Sequence, residues 1–332
     1  MSSSREVLIC GEVLEGKVAT ITKELLNIGR KLCAALNQPL SNLFIGRDIQ
    51  EPAKESIYLG ADKVYLIDGP PFAETTPDFY LALIVGACQQ IEPSIILFGQ
   101  TDLGRELAPR LAAKLKTPVC LDCINLALDL ETKQLLQTKP VYGGNALAVW
   151  VSELEQPQVI TLRPRSVAAA EPDTSRQGEI IPISIEVRET ELKSKLVEVK
   201  REEVKGIKLE EAKVIVAGGG GIGGPEGFKM LEELARVLGG AVGVTRVPCD
   251  EGWMPLSLEI GQTGRVVNPD LYLAVGISGA VQHMAGCSGS KCIVAINKDP
   301  NAHIFAEADF GIVRDYREVV PALLEKFKEL QK

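Results

Sequence analysis

The chain is poor in histidine, in aromatic residues and in positive charge. Only His283 and His303 occur among its 332 residues. A Ser/His/Asp or Cys/His hydrolytic system would have to use one of them, and neither lies near a nucleophile elbow. No Walker sequence ending in Lys-Ser/Thr is present, and no His/Glu spacing suited to a metal. Lys and Arg number 36 against 44 Asp and Glu, for a formal net charge of -8 and a pI near 5.1. The basic face a nucleic-acid binder needs is therefore missing. Apolar runs such as residues 81–88 fall far short of the roughly 20 residues that span a bilayer, so no membrane insertion is expected. The N-terminal residues carry no apolar signal segment, and the protein reads as cytoplasmic. The eight cysteines are scattered through apolar or strand-like settings, as suits small core residues of a reducing compartment. Cys120 and Cys123 form a single CxxC with no second pair at zinc spacing, and are read as unpaired structural residues.

What is present is an ordinary globular composition, 45% hydrophobic and 24% charged, long enough for two domains. Strand-like runs over 7–9, 40–45, 63–67 and 94–98 alternate with helical periodicity over 20–36, 77–90 and 103–115. That rhythm predicts a parallel sheet with helices on its faces. From 123 to 163 the pieces become shorter and more β-branched, as expected for added antiparallel or edge structure. Residues 183–205 alternate apolar with charged side chains and predict a surface hairpin running into a linker. A new α/β pattern then opens, with strands over 212–217, 241–244, 271–275, 291–296 and 310–313 and helices over 225–238 and 316–330. The expectation is two doubly wound α/β domains with mainly parallel sheets, divided as 1–205 and 206–332.

Gly218-Gly219-Gly220-Gly221-Ile222-Gly223-Gly224 lies between a predicted strand and a predicted helix, where backbone can approach a phosphate closely. The acidic residue that a dinucleotide fold places about 20 positions on, to hold a ribose, is missing from 238–246. A standard NAD site is therefore disfavoured. Two alternatives stay open: a nucleotide held in another way, or a turn whose glycines serve only tight packing. Further small and polar clusters fall where second-domain strands should end: Thr245-Arg246, then Gly261-Gln262-Thr263-Gly264, then Gly276 to His283, then Asn297-Lys298-Asp299. The carboxyl ends of strands in an open α/β sheet face the ligand crevice, so these clusters are expected to meet in one cavity. Ser278 and Gly279 offer donors for a pyrophosphate, while Arg246 and His283 suit an electron-rich ring.

These residues resemble the electron transfer flavoprotein alpha subunit. The resemblance rests on Val242-Gly243-Val244-Thr245-Arg246, Ile260-Gly261-Gln262-Thr263-Gly264, Gly276-Ile277-Ser278-Gly279-Ala280-Val281-Gln282-His283 and Ala295-Ile296-Asn297-Lys298-Asp299-Pro300. In the first domain it rests on Gly104-Arg105-Glu106-Leu107-Ala108-Pro109-Arg110 and Tyr142-Gly143-Gly144-Asn145. It implies a heterodimer with a beta subunit, whose C-terminal, Rossmann-like domain carries FAD and passes electrons between a flavin dehydrogenase, such as an acyl-CoA dehydrogenase, and an acceptor. It further implies FAD contacts from Thr245, Arg246, Ile260, Gly261, Gln262, Thr263, Ser278, Gly279, Ala280, Val281, Gln282, His283, Asn297, Asp315 and Tyr316. In that pattern Arg246 and Thr263 serve the flavin ring and His283 donates to its pyrimidine carbonyl. Ser278 holds pyrophosphate, and Asn297 and Asp315 hold the adenosine end. Gly220 stands where many members have Arg, and this all-glycine loop suggests a branch working in NADH-linked electron bifurcation. The rival readings are a non-redox adenine-nucleotide-binding regulatory protein and an NAD-dependent dehydrogenase.

Overall fold

The computed structural model describes residues 5–70, 74–144, 146–153, 157–187, 192, 194–198 and 207–330. It divides into two compact units, Met1–Pro140 with Leu147–Arg201, and Val141–Ala146 with Glu202–Lys332. The expected boundary at 205/206 and most of the expected linker lie outside the described residues.

In the first unit, strand Val7–Cys10 is buried at every position, and its side chains alternate between two apolar clusters. Val7 and Ile9 meet Leu25, Leu26 and Leu32 of helix Thr20–Leu36, whereas Leu8 and Cys10 join the cluster of Tyr80, Ile84 and Leu107. A strand covered on both faces loses the polar alternation of an exposed sheet, and central parallel strands read this way. The sheet has seven strands in the order Glu179–Pro182, Lys63–Asp68, Leu40–Gly46, Val7–Cys10, Ile95–Gly99, Gln158–Leu162 and Val119–Cys123, and every adjacent pair runs parallel.

One expectation is corrected here, and a second falls in large part outside the described residues. Gln158–Leu162, expected among antiparallel or edge pieces, lies inside the parallel sheet, because Val159, Ile160 and Leu162 are buried between helix layers. Among the described residues of 183–205 no strand occurs: Glu179–Pro182 is a parallel edge strand, Ile183, Ile185 and Val187 pack as irregular chain against the apolar cluster, and 188–191, 193 and 199–205 lie outside the described residues. Among the described residues, antiparallel pairing occurs between Asn125–Leu128 and Leu135–Val141 in a small three-stranded sheet, and between the two-residue strands Val13–Leu14 and Lys17–Val18. Helix Gln50–Tyr58 was not predicted.

The second unit holds a five-stranded sheet in the order Ala241–Val244, Val214–Gly218, Leu271–Val275, Ile293–Asn297 and Phe310–Val313, again all parallel. Numbered along the chain, this order is second, first, third, fourth, fifth, so the direction of winding reverses between Val214–Gly218 and Leu271–Val275. Helices Pro225–Val237 and Tyr316–Leu330 cover one face through Phe228, Leu231, Val320 and Leu324. Tyr272, Met284, Cys287 and Ile304 fill the other. Among the described residues no helix is long and apolar enough to cross a membrane, and no group of three or more His, Cys, Asp and Glu is placed to hold a metal.

Candidate functional site

A cavity of about 410 Å³ opens beside the carboxyl ends of the second-unit strands where the winding reverses. Open α/β sheets bind ligands at such reversals, because the loops leaving adjacent strands diverge to opposite faces there. Gly220 and Gly221 follow the first strand, Thr245, Arg246 and Val247 the second, and Gly276, Ile277 and Ser278 the third. Glu259, Ile260, Gly261, Gln262 and Thr263, with Ala280, Gln282 and His283, complete the lining.

The glycine run owes much of its composition to packing. A Cβ on Gly219 would stand 2.4 Å from the Gly276 carbonyl oxygen, and one on Gly221 would stand 2.8 Å from the same atom. Gly221 N–H donates to that carbonyl at 2.9 Å. The loops after the first and third strands thus touch through backbone, and no side chain fits between them.

The loop carrying Glu259 to Arg265 is tied down at both ends. Ile260 N–H donates to Val244 O at 2.8 Å, and Gln262 N–H donates to Gln282 O at 2.7 Å. Gly261 has φ +152°, and a Cβ there would press on Gln282 O at 3.0 Å. This frame presents Thr263, whose hydroxyl donates to Glu259 Oε1 at 2.6 Å. Glu259 is 3% exposed, so the bond secures an otherwise buried carboxylate. The Thr263 proton is therefore committed, and the oxygen offers the cavity a lone pair rather than a donor.

His283 is likewise committed. Nδ1 lies 2.9 Å from Ile260 O, a carbonyl that can only accept, so Nδ1 carries the proton. Nε2 then accepts from the Tyr272 hydroxyl at 2.9 Å. Burial holds the imidazole down at about 4, against the opposing influence of the Ile260 carbonyl and Glu259, and the ring is neutral. In this arrangement it has no free N–H for a pyrimidine carbonyl. Its role here is to lock Ile260 at the cavity wall.

Arg246 is the weakly held member. Its side chain is 63% exposed and bonds Asp250 through Nε at 3.2 Å, a partnership of the kind worth about 0–1 kcal/mol in water. It can leave that partner for a ligand at small cost. Thr245, at the head of the short helix Arg246–Asp250, makes no side-chain cap bond, so its hydroxyl is not spent on that helix. Ser278 and Gln282 are exposed along the lining.

Five predicted contacts fall outside the lining residues. Gly279, at φ +86°, lets the chain pass Ile304, where a Cβ would stand 2.3 Å from the backbone nitrogen. Val281 is exposed. Asn297 donates through Nδ2 to Ile277 O at 2.8 Å and accepts from Asp299 N–H at 3.0 Å, so it shapes the cavity through Ile277. Asp315 accepts from Arg317 N–H at 2.9 Å at the start of the last helix. Tyr316 is a core residue whose hydroxyl donates to Ile222 O at 2.9 Å. In the other direction, sequence reasoning passed over Val247 and Glu259. A lone acidic residue directly before the apolar-to-glycine step Ile260-Gly261 was the available signal for Glu259.

Chemically the cavity combines one cation, three hydroxyl-bearing residues (Thr245, Thr263 and Ser278), two amide side chains and the apolar walls Val247, Ile260 and Ile277, with the carboxylate masked by Thr263. Such a donor set, on a glycine-lined backbone, fits an anionic or electron-rich aromatic ligand with phosphate, as a flavin nucleotide is.

The comparisons agree. The profile described as "Electron transfer flavoprotein domain" matches residues 7–187, and the one described as "Electron transfer flavoprotein FAD-binding domain" matches residues 208–288. The electron transfer flavoprotein subunit alpha of Thermoanaerobacterium thermosaccharolyticum is 41% identical over 331 residues, covering 100% of both chains. That of Bacillus subtilis is 43% identical over 327 residues, covering 98% of each. Subunit LctC of the lactate dehydrogenase (NAD(+),ferredoxin) of Acetobacterium woodii is 37% identical over 320 residues, covering 96% of this chain and 76% of its own. With both units matched and relatives aligned end to end, the chain belongs to the electron transfer flavoprotein alpha subunit family, a family of flavin-binding electron carriers.

Proposed function

We propose that this chain is the FAD-carrying subunit of a heterodimer with an electron transfer flavoprotein beta subunit, and that it moves electrons between a flavin dehydrogenase and a redox acceptor in the cytoplasm. The observation that carries the reading is the convergence of Arg246, Thr245, Thr263 and Ser278 on one cavity at the winding reversal. When bound, FAD supplies the electron-accepting and electron-donating chemistry that no side chain of the cavity provides. The chain's own residues orient and charge the site. Arg246 brings a cation that favours negative charge on the ring, beside the apolar walls Val247, Ile260 and Ile277. Thr263, its proton held by Glu259, accepts from a ring N–H and so favours the protonated, reduced ring over the oxidised one. Asn297 and His283 hold Ile277 and Ile260 in place as cavity walls.

The test is to co-purify the chain with its beta subunit, record the visible spectrum and identify the released cofactor. A yellow heterodimer that releases FAD and takes up reducing equivalents anaerobically supports the carrier. A colourless complex that cannot be reconstituted with FAD and instead binds AMP or ATP overturns it in favour of a nucleotide-binding regulator. The same preparation addresses NADH-linked bifurcation, which we include in the reading on the strength of Gly220 and of the relative named for NAD(+) and ferredoxin. Two FAD per heterodimer and NADH-driven reduction of ferredoxin are its required outcomes.

A further inference from the structure

We infer that Cys120 and Cys123 form a reversible dithiol–disulfide site at the edge of the first-unit sheet, closed by small-molecule disulfides of the glutathione class and reopened by thiols. The inference concerns chemistry outside the flavin cavity and does not rest on the proposed function.

Two side chains three positions apart on a regular strand point to opposite faces of the sheet. Here they meet: the Cys120 and Cys123 sulfurs are 3.4 Å apart. The cause is a β-bulge. Cys120 pairs with Ile160 and Cys123 with Leu162, so three steps on the edge strand match two on its neighbour, and the extra residue turns the alternation by one. Asp122 takes up the bend at φ +64°, an uncommon conformation for a residue other than glycine. Three bonds pin it there. Asp122 N–H donates to Thr161 Oγ1 at 2.7 Å, and its carboxylate receives Arg163 Nε at 2.8 Å and Nη2 at 2.6 Å. Arg163 is 6% exposed, and its N–H donates to Cys123 O at 2.7 Å, closing the loop around the cysteine pair. The bulge is thus built by specific partners, and its effect is to bring two thiols together.

The two sulfurs are unlike. Cys123 is fully buried, whereas Cys120 is partly exposed on the terminal strand of the sheet. The S–H that Cys123 donates to Cys120, with Lys139 nearby, holds Cys120 below the ordinary thiol range against the opposing effect of burial; the same bond and burial push Cys123 up. Cys120 is therefore the entering thiolate and Cys123 the resolving thiol. The reaction balances. Cys120 thiolate attacks one sulfur of the oxidant, breaking its S–S bond, forming a mixed disulfide and expelling one thiolate. Cys123 then loses its proton and attacks Cys120 Sγ, forming the Cys120–Cys123 bond and expelling the second thiolate. Two protein thiols lose two electrons, one small disulfide becomes two thiols, and the two protein-derived protons leave with them. Closing the bridge asks the sulfurs to move from 3.4 Å to about 2.0 Å. The other six cysteines are free thiols, and partly exposed Cys249 and Cys292 serve as internal comparison.

The experiment equilibrates the full chain with its beta subunit in glutathione buffers of rising oxidised-to-reduced ratio, alkylates free thiols, and digests with trypsin. Residues 117–133 form one tryptic peptide that holds both cysteines and no other. The expected result is a peptide that loses both alkylation sites together, is lighter by two hydrogens, and recovers with dithiothreitol, at ratios at least tenfold lower than those that modify Cys249. Cys123→Ser should stop at a glutathione adduct on Cys120, and Cys120→Ser should give no adduct on Cys123. In the wild-type complex, a peptide that stays fully alkylated at ratios that modify Cys249 overturns the inference without recourse to any variant. So does an adduct on Cys123 in Cys120→Ser equal to that on Cys120 in Cys123→Ser.

Discussion

The Tyr272 hydroxyl and His283 Nε2 are hydrogen-bonded at 2.9 Å in the second-unit core, with the hydroxyl donating to the imidazole tautomer that the Ile260 carbonyl selects. Because Nδ1 must donate to Ile260 O, the chain Tyr272–His283–Ile260 runs in one direction, from the core to the cavity wall.

The pH dependence of stability follows from this arrangement. Burial holds His283 at about 4, below the ordinary value of 6.5, so only the unfolded chain takes up this proton over that interval. The unfolded state then binds more protons, and stability falls as pH drops from about 6.5 towards 4, by a total of about 3 kcal/mol from this group. Urea unfolding at several pH values should show the extra slope in the wild type and lose it in His283→Gln. Equal slopes would remove His283 as its source. Tyr272→Phe, which leaves Nε2 without its donor, should cost about 1–3 kcal/mol at neutral pH.

Thr263 and Glu259 are expected to be energetically coupled. Thr263→Val strips a carboxylate that is 3% exposed of its recorded donor and should destabilise by about 1–3 kcal/mol. Glu259→Gln alone should cost less, because a neutral amide tolerates burial better. A double-mutant cycle read by denaturant midpoints should give a coupling of at least about 0.5 kcal/mol; strict additivity would show that the bond contributes nothing.

Arg246→Ala should leave unfolding within about 1 kcal/mol of wild type, since its partnership with Asp250 is exposed. In the flavin-loaded heterodimer, the same change should weaken binding of the reduced, negatively charged ring relative to the oxidised one by about tenfold, equivalent to about 1.4 kcal/mol. Spectroelectrochemical titration measures this as a lower potential. An unchanged potential would place Arg246 away from the ring.

Two glycines with similar backbone should respond differently to alanine. At Gly279, φ +86°, the new Cβ meets Ile304 N at 2.3 Å, whereas at Gly239, φ +65°, it meets nothing within 4 Å. Gly279→Ala should cost about 2–4 kcal/mol and Gly239→Ala about 1 kcal/mol. Comparable melting temperatures for the two variants would refute the close approach at Gly279.

The strands Ala241–Val244, Leu271–Val275 and Phe310–Val313 and the helices Thr20–Leu36 and Tyr316–Leu330 could be read directly from periodicity, since each repeats its pattern over its whole length. Gln158–Leu162 falls in the β-branched stretch the sequence marks, but its neighbours were not legible, and Glu179–Pro182 was not singled out at all. Which strand lies beside them depends on distant chain, at Ile95–Gly99 and at Lys63–Asp68. Helix Gln50–Tyr58 escaped because it buries only four side chains and spans nine residues.

The candidate site divides along the same line. Thr245, Arg246 and Ser278 were legible because they sit just past strands whose ends are locally encoded, and a parallel sheet brings such ends to one side. Hydrogen-bond partners were not legible: Thr263 spends its proton on Glu259, His283 both nitrogens on Tyr272 and Ile260, and Tyr316 its hydroxyl on Ile222, 94 positions away. The CxxC shows the same limit, since the bulge that joins its sulfurs is held by Thr161 and Arg163 from the neighbouring strand. Residue pattern along the chain decided the elements, their order and the side of the sheet where polar groups gather, because these depend on short-range periodicity. Packing decided which of those groups still has a donor or a charge to give, because a hydrogen bond is spent on whichever partner the fold brings within 3 Å.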